Sequence, residues 1–458
     1  MTLHRYTPYY KPLTMLGVPI VVGQLGTIVL AFADTLMIGH HATSELAAAA
    51  FVNNIINLVI IFALGFSYAV TPTVGTLYGQ EKTQRIGEMV RNAICANLLL
   101  AALIVGVMGG FYLSIDHLGQ PAELLPLIKP YYLVLLASLP FVCLFNVFKQ
   151  FADGITDTAL SMWVLIGGNI LNIFGNWVLI YGNLGAPRLE VQGAAIATII
   201  ARLTEMTMFL IFIAVKRPPF SATPKELVSV DFPLFFRMLK KGSMVLGSEM
   251  LWVISETVTT ALYNGRGGAD VVSGMAASFA IANLFFVAFS GITTATGVIL
   301  GSTLGSGELD KARQEKRWLM TAGVVFGFFM IFVGLLTVPL IPVVFGHLSA
   351  SAQSITRRMI VLMSLFMPPW VYINVQLAVS RAGGDTAMGL WVDATTTLLM
   401  IIPGIFLVAR YTTIGPVAMY GMVKAVDFVK ITIAHFMLKR ERWVRNLTDI
   451  VQPVKTTE

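Results

Sequence analysis

Residues 17–40 read GVPIVVGQLGTIVLAFADTLMIGH, and this stretch decides the fold class. From Pro12 to Ala33 no side chain is charged, a run of about 20 residues, which is what a helix needs to cross the hydrocarbon core of a bilayer. Asp34 breaks the run before His40 and His41 mark its end. A carboxyl at that depth is costly unless it is paired, hydrated or protonated, so Asp34 is a candidate functional group from the outset.

The rest of the chain extends this reading. Its 458 residues are 56% hydrophobic and 12% charged, whereas a soluble domain carries about 25% charged residues. The composition is that of a polytopic membrane protein. The N-terminus, MTLHRYTPYYK, lacks the pattern of a cleavable signal. Cys95 and Cys143 both lie within apolar runs, and they offer no disulfide framework or metal-ligand spacing. The net charge of +7 resides in short loops, which reads as membrane topology and not as a nucleic-acid surface. No Gly-rich phosphate loop with a lysine occurs, so ATP is not expected as the energy source.

Apolar spans are predicted at 13–39, 46–77, 92–114, 125–147, 160–181, 193–215, 242–263, 271–301, 318–345, 359–380, 388–409 and 414–437. Of the 31 Lys and Arg residues, only Lys129, Arg188, Arg266, Arg357, Arg358 and Arg410 fall in one set of connections, and Arg202, Lys424 and Lys430 lie inside spans. All others occupy the termini and the opposite connections, which predicts that both termini are cytoplasmic. Internal repetition divides the spans into halves. DTALSMW at 157–163 recurs as DTAMGLW at 385–391, and Asn57, Gly65, Gly75 and Gly79 recur as Asn283, Gly291, Gly301 and Gly305. Gly193, Arg202 and Glu205 share their spacing with Gly415, Lys424 and Asp427.

The expected fold is therefore an all-α polytopic membrane protein of twelve transmembrane helices, arranged as two six-helix bundles. Parallel repeats of this kind are related by a pseudo-two-fold axis along the membrane normal, with the substrate site between them. The expected domains are an N-terminal bundle over 1–215, a cytoplasmic linker over 216–241 and a C-terminal bundle with a short tail over 242–458.

Several polar groups inside spans are candidates. Asn169, Asn172 and Asn176 are spaced three and four apart and form one stripe on the fifth span. Such a stripe serves either helix packing or coordination of a cation. Glu249 and Glu256 share a face of the seventh span, and two acids at depth suggest a proton or cation path. Gln24, Asn57 and Asn374 are further polar candidates for the substrate or proton path. The i,i+3 pairs Arg202–Glu205 and Lys424–Asp427 read as local charge neutralisation, and Asp393 has no evident partner in sequence. No nucleophile–base pair or metal triad at depth points to an enzyme. Few cations lie inside spans, which argues against a lipid-linked oligosaccharide flippase of related architecture.

The chain resembles the multidrug and toxic compound extrusion (MATE) family of cation-coupled exporters. The matching stretches are PIVVGQLGTIVLAFADTLMIGH at 19–40, ELAAAAFVNNI at 45–55, FKQFADGITDT at 148–158, NWVLIYGNLG at 176–185 and GAAIATIIAR at 193–202. SEMLW at 248–252, LGSGE at 304–308 and RAGGDT at 381–386 continue the resemblance in the second half. It implies a cation site, for H⁺ or Na⁺, at Asp34, Asn172, Asn176 and Thr198. Asn176 stands where many members carry a second acid, which favours H⁺, although hard oxygen ligands for Na⁺ remain. Glu249 looks like the seventh-helix acid of one branch, whereas Asn374 and Gln376 occupy the region of that branch's tenth-helix acid. The resemblance further implies multidrug export by antiport at the inner membrane. It implies organic, amphipathic, cationic substrates, lipid as the surrounding partner, no cofactor besides the coupling ion, no nucleic acid and a monomer.

Overall fold

A computed structural model describes residues 7–41, 43–67, 70–117, 123–218, 231–346 and 348–444. Helices α1–α7 are Thr7–His41, Thr43–Ser67, Val70–Gly79, Thr83–Tyr112, Leu125–Gly154, Thr158–Leu179 and Glu190–Lys216. Helices α8–α16 are Phe232–Asn264, Ala269–Gly305, Leu309–Thr337, Ile341–Val344, Ala350–Leu365, Met367–Ala382, Ala387–Thr396, Ile402–Tyr411 and Pro416–Lys439. The described residues contain no strand. Residues 219–230 of the expected linker lie outside the described residues, as do the side chains of His40 and His41.

These helices account for the twelve predicted spans, with four of them broken. The second is α2 followed by α3. The ninth is α10, a 3₁₀ turn at Val338–Leu340 and then α11. The tenth bends by 48° between α12 and α13. Pro368 and Pro369 begin α13, and each removes a backbone donor and crowds the preceding turn, which accounts for the bend. The eleventh carries a π-turn at Thr397–Ile401 immediately before Pro403, where the wider turn takes up the missing hydrogen bond. Among the described residues, eight helices are long and apolar enough to cross a membrane, or nine with the bent pair. Helices α2, α8 and α16 fall outside that set; Glu249 and Glu256 interrupt α8, and Lys424, Asp427 and Lys430 interrupt α16.

Packing divides the chain into two compact units. One takes the described residues from Val22 to Gly242, and the other takes those from Ser243 onward together with Thr7–Val21 of α1. The boundary therefore falls within α1, close to Pro19.

The helices are patterned for lipid. On α1, Met15, Val18, Val22, Leu25, Val29, Phe32 and Leu36 are exposed, with spacings that alternate three and four, and so form one continuous apolar stripe. A stripe of that length faces hydrocarbon. Helix α6 is inverted relative to a soluble helix. Trp163, Ile170, Phe174 and Trp177 are exposed, while Ser161, Asn169, Asn172 and Asn176 are buried. Apolar helices gain nothing by leaving lipid for one another, so close packing and hydrogen bonds hold such units together. Small residues permit the approach: Ala194, Ala197 and Ala201 of α7 are buried, and Ala197 lies against Gly175 of α6.

Candidate functional site

Within the Val22–Gly242 unit, α1, α6 and α7 bring one polar chain together. Asn176 Nδ2 donates to Asp34 Oδ1 at 2.5 Å and also to Asn172 Oδ1 at 3.0 Å. Asn172 Nδ2 in turn donates to Thr198 Oγ1 at 3.1 Å. The hydroxyl of Thr198 donates back to the Ala194 carbonyl at 3.0 Å, which fixes its rotamer and leaves its lone pairs toward Asn172. Asn172 and Asn176 are fully buried, each 0% exposed. The Asn stripe is thus turned inward by the same periodicity that turns Trp163 and Phe174 outward. Asn176 Oδ1 is buried and has no hydrogen-bond partner among the described residues.

The donor set is chemically suited to a small hard cation. It offers one carboxylate, two amide oxygens and a hydroxyl, all oxygen ligands on neighbouring helices. It equally suits a proton, since Asp34 is half-buried on α1 and its oxygen is held by a neutral donor that tolerates either charge state. Among the described residues, no group of three or more His, Cys, Asp and Glu side chains is arranged to hold a metal ion.

Tyr131 of α5 is a neighbour that sequence reasoning missed. It is buried, donates its hydroxyl to Asn53 Oδ1 at 3.2 Å and lies within the electrostatic reach of Asp34. Its one signal in the sequence was an aromatic in an apolar span, which reads as packing. Gln24 is half-buried on the N-terminal side of Asp34, and Asn57 of α2 is exposed. Among the described residues the hydrogen-bonded chain takes in neither.

The other candidates belong to the second unit. Glu249 of α8 is ion-paired with Arg381 of α13 at 3.1 Å. Glu256, two turns on, lies within electrostatic reach of a different set: Lys424, Asp427, Tyr420 and Tyr263. The two acids of α8 are therefore engaged separately. The Lys424 ammonium lies 5.2 Å from the Tyr420 ring centroid and 5.7 Å from that of Trp370. Asn374 is spent on its own helix, donating to the Trp370 carbonyl at 2.9 Å. Asp393 does have partners, Lys430 of α16 at 2.9 Å and the hydroxyl of Ser248. Arg202 and Glu205, by contrast, form the local pair expected of them, at 2.8 Å.

The fold and this site define a multi-pass, all-α membrane protein with a buried polar chain anchored on one intramembrane carboxyl. The MatE family profile matches residues 19–178 and 245–406, and the chain belongs to that family. A probable multidrug resistance protein NorM from Photorhabdus laumondii is 28% identical over 301 residues, 64% of this chain and 65% of that protein. The chain thus spans just under two thirds of that relative. The multidrug resistance protein NorM of Vibrio vulnificus is 24% identical over 349 residues, 73% of each chain. Among solved structures, a mutant of the MATE transporter VcmN from Vibrio cholerae superposes with a TM-score of 0.85 at 20% identity, covering 96% of this chain and 99% of that one. A MOP superfamily transporter from Pyrococcus furiosus gives 0.84 at 19% identity, covering 97% of both. At these identities the likeness to the solved structures is one of fold.

Proposed function

We propose that this protein is a secondary active exporter that exchanges H⁺, or Na⁺, for organic amphipathic cations at the inner membrane. It works as a monomer by alternating access, with both termini cytoplasmic. The observation that carries this reading is the chain Asp34–Asn176–Asn172–Thr198, a buried set of oxygen ligands around one carboxyl. The multidrug resistance named for its relatives supports the substrate class.

Loading Asp34 with a cation removes its negative charge, and Asn176 then faces a neutral partner. That changes the preferred packing of α1, which carries Pro12 and Pro19 as places to bend. Cation and substrate then need only prefer different members of one conformational equilibrium for their fluxes to be coupled. The absence of a second carboxyl at position 176 favours H⁺ as the coupling ion. In the second unit, Glu256 beside Lys424 is the proposed contact for the charged end of a substrate, whereas Glu249 is committed to Arg381. The direct test is Asp34→Asn, which should abolish export while the purified protein remains folded. Full export by that variant would refute the reading.

A further inference from the structure

The unit that holds Asp34 contains further buried carboxyls, Glu45, Asp153 and Glu205, and the cation site uses none of them. Glu205 of α7 is 0% exposed. Its side chain rests on the backbone of Gly168 in α6, where any Cβ would collide with the carboxyl group. Apart from the ion pair with Arg202 at 2.8 Å, neither oxygen of Glu205 has a hydrogen-bond donor among the described residues. The next residue along α6, Asn169, is 4% exposed, and neither end of its amide has a hydrogen-bond partner among the described residues. It is aimed at α1, where a Cβ on Gly26 would lie 3.1 Å from its Nδ2.

Two contacts place these groups in register. Asn172 meets Thr198 and Gly168 meets Glu205, so α6 and α7 run antiparallel. Asn169 to Asn176 and Thr198 to Glu205 are equal steps of about 10 Å along their helices. A polar column therefore leads from Asp34 and Asn176, past Asn169, to Glu205. Buried polar atoms without partners are rare in folded proteins and mark places where water or a transferable proton belongs.

The charges single out one arrangement. Among the described residues, Arg202 is the charged group that acts on Glu205, and its field also reaches Asp34. On α5, which packs against α7, Lys149 and Asp153 are paired with each other at 2.8 Å. Helix α2 shares a cluster with Val191, Ala194 and Ala195, at the other end of α7. From α6, Gly168 lies against the carboxyl. Arg202 thus pairs with Glu205 and acts on Asp34 only through its field, and with both carboxyls ionised the set carries one uncompensated negative charge. A buried set of that kind is neutral with one proton.

We infer that Glu205 is a second proton-accepting carboxyl that exchanges its proton with Asp34 through this column. One O–H bond breaks on Asp34 and one forms on Glu205, and Arg202 compensates whichever carboxylate is left charged. The inference rests on the reading of Asp34 as the coupling-ion site.

Infrared difference spectroscopy of the full-length protein after a pH jump tests it. Asp34→Asn should retain a titrating carboxylic C=O band that disappears in Asp34→Asn/Glu205→Gln and moves in Asp34→Asn/Glu205→Asp. Identical difference spectra for the single and double variants would overturn the inference. Should Arg202 prevent Glu205→Gln from folding, the comparison is made with Arg202→Gln present in both proteins. In proteoliposomes, Glu205→Gln should slow proton-driven ethidium efflux roughly tenfold, within the range typical of coupling between two sites. Its affinity for ethidium should be unchanged, and Glu205→Asp should restore most of the rate. Efflux at the wild-type rate in Glu205→Gln would also refute the relay. Efflux by Asp34→Asn would instead refute the underlying reading of Asp34, while the infrared band continues to report on Glu205.

Discussion

Asn176 Nδ2 stands 2.5 Å from Asp34 Oδ1, so an amide of α6 is bonded to the single carboxyl of α1. That contact joins residues far apart in sequence and sets a neutral amide against the Asp34 carboxyl. Replacing the amide with Asn176→Asp sets two carboxyls side by side. Like charges that share a site resist joint ionisation and attract a cation. The variant should gain Na⁺ affinity by roughly tenfold or more, since one pKa-sized interaction is worth about 1.4 kcal/mol. Na⁺ titration followed by intrinsic fluorescence checks this, and an unchanged affinity would place position 176 outside the cation site.

In the second unit, Lys430 and Asp393 form a pair at 2.9 Å, with side chains 13% and 10% exposed. Removing one partner leaves a charge at depth. Lys430→Met should lower the stability of that unit by about 3–5 kcal/mol. Lys430→Met/Asp393→Leu should recover most of the loss. Thermal unfolding of both variants in one detergent gives the comparison.

The C-terminal turn is held by packing. Trp443 is 1% exposed, its backbone lies where a Cβ of Gly383 would be, and Lys316 sits 5.4 Å from its ring centroid. Trp443→Ala should cost about 3–5 kcal/mol, and Gly383→Ala should destabilise the same turn by forcing the two backbones apart. Protease cleavage after residue 439 in these variants, and not in the wild type, is the expected readout.

Glu441 accepts from two donors of Arg313, Nη2 at 2.9 Å and Nε at 3.2 and 3.3 Å to its two oxygens. The guanidinium holds its carboxyl below the usual carboxylate range. A depressed folded-state pKa contributes stability above the unfolded value, and that contribution is lost as pH falls through the folded one. The melting-temperature difference between wild type and Glu441→Gln should therefore be small but constant near neutral pH and vanish in acid. A difference that grows in acid would contradict the assignment.

What could be read from the sequence divides by range. The spans were legible because lipid-facing helices need long uncharged runs. Asp34 stood out because a carboxyl inside such a run is conspicuous. The Asn169–Asn172–Asn176 stripe followed from helical periodicity alone. The bend at Phe366 came from Pro368 and Pro369, and it required a choice between kink and loop that composition does not make. The pairings Glu249–Arg381 and Asp393–Lys430 were hidden because their partners lie on other helices. Tyr131 was hidden for the same reason, since nothing local distinguishes a tyrosine near a carboxyl from one that only packs.

Asp34 is the proposed seat of the coupling ion, and gradient-driven efflux is the decisive measurement. Wild-type protein and Asp34→Asn are reconstituted into liposomes with a fluorescent organic cation, and proton and Na⁺ gradients are imposed separately. Efflux driven by the proton gradient is expected in the wild type and none in Asp34→Asn. Equal efflux from both proteins would contradict it.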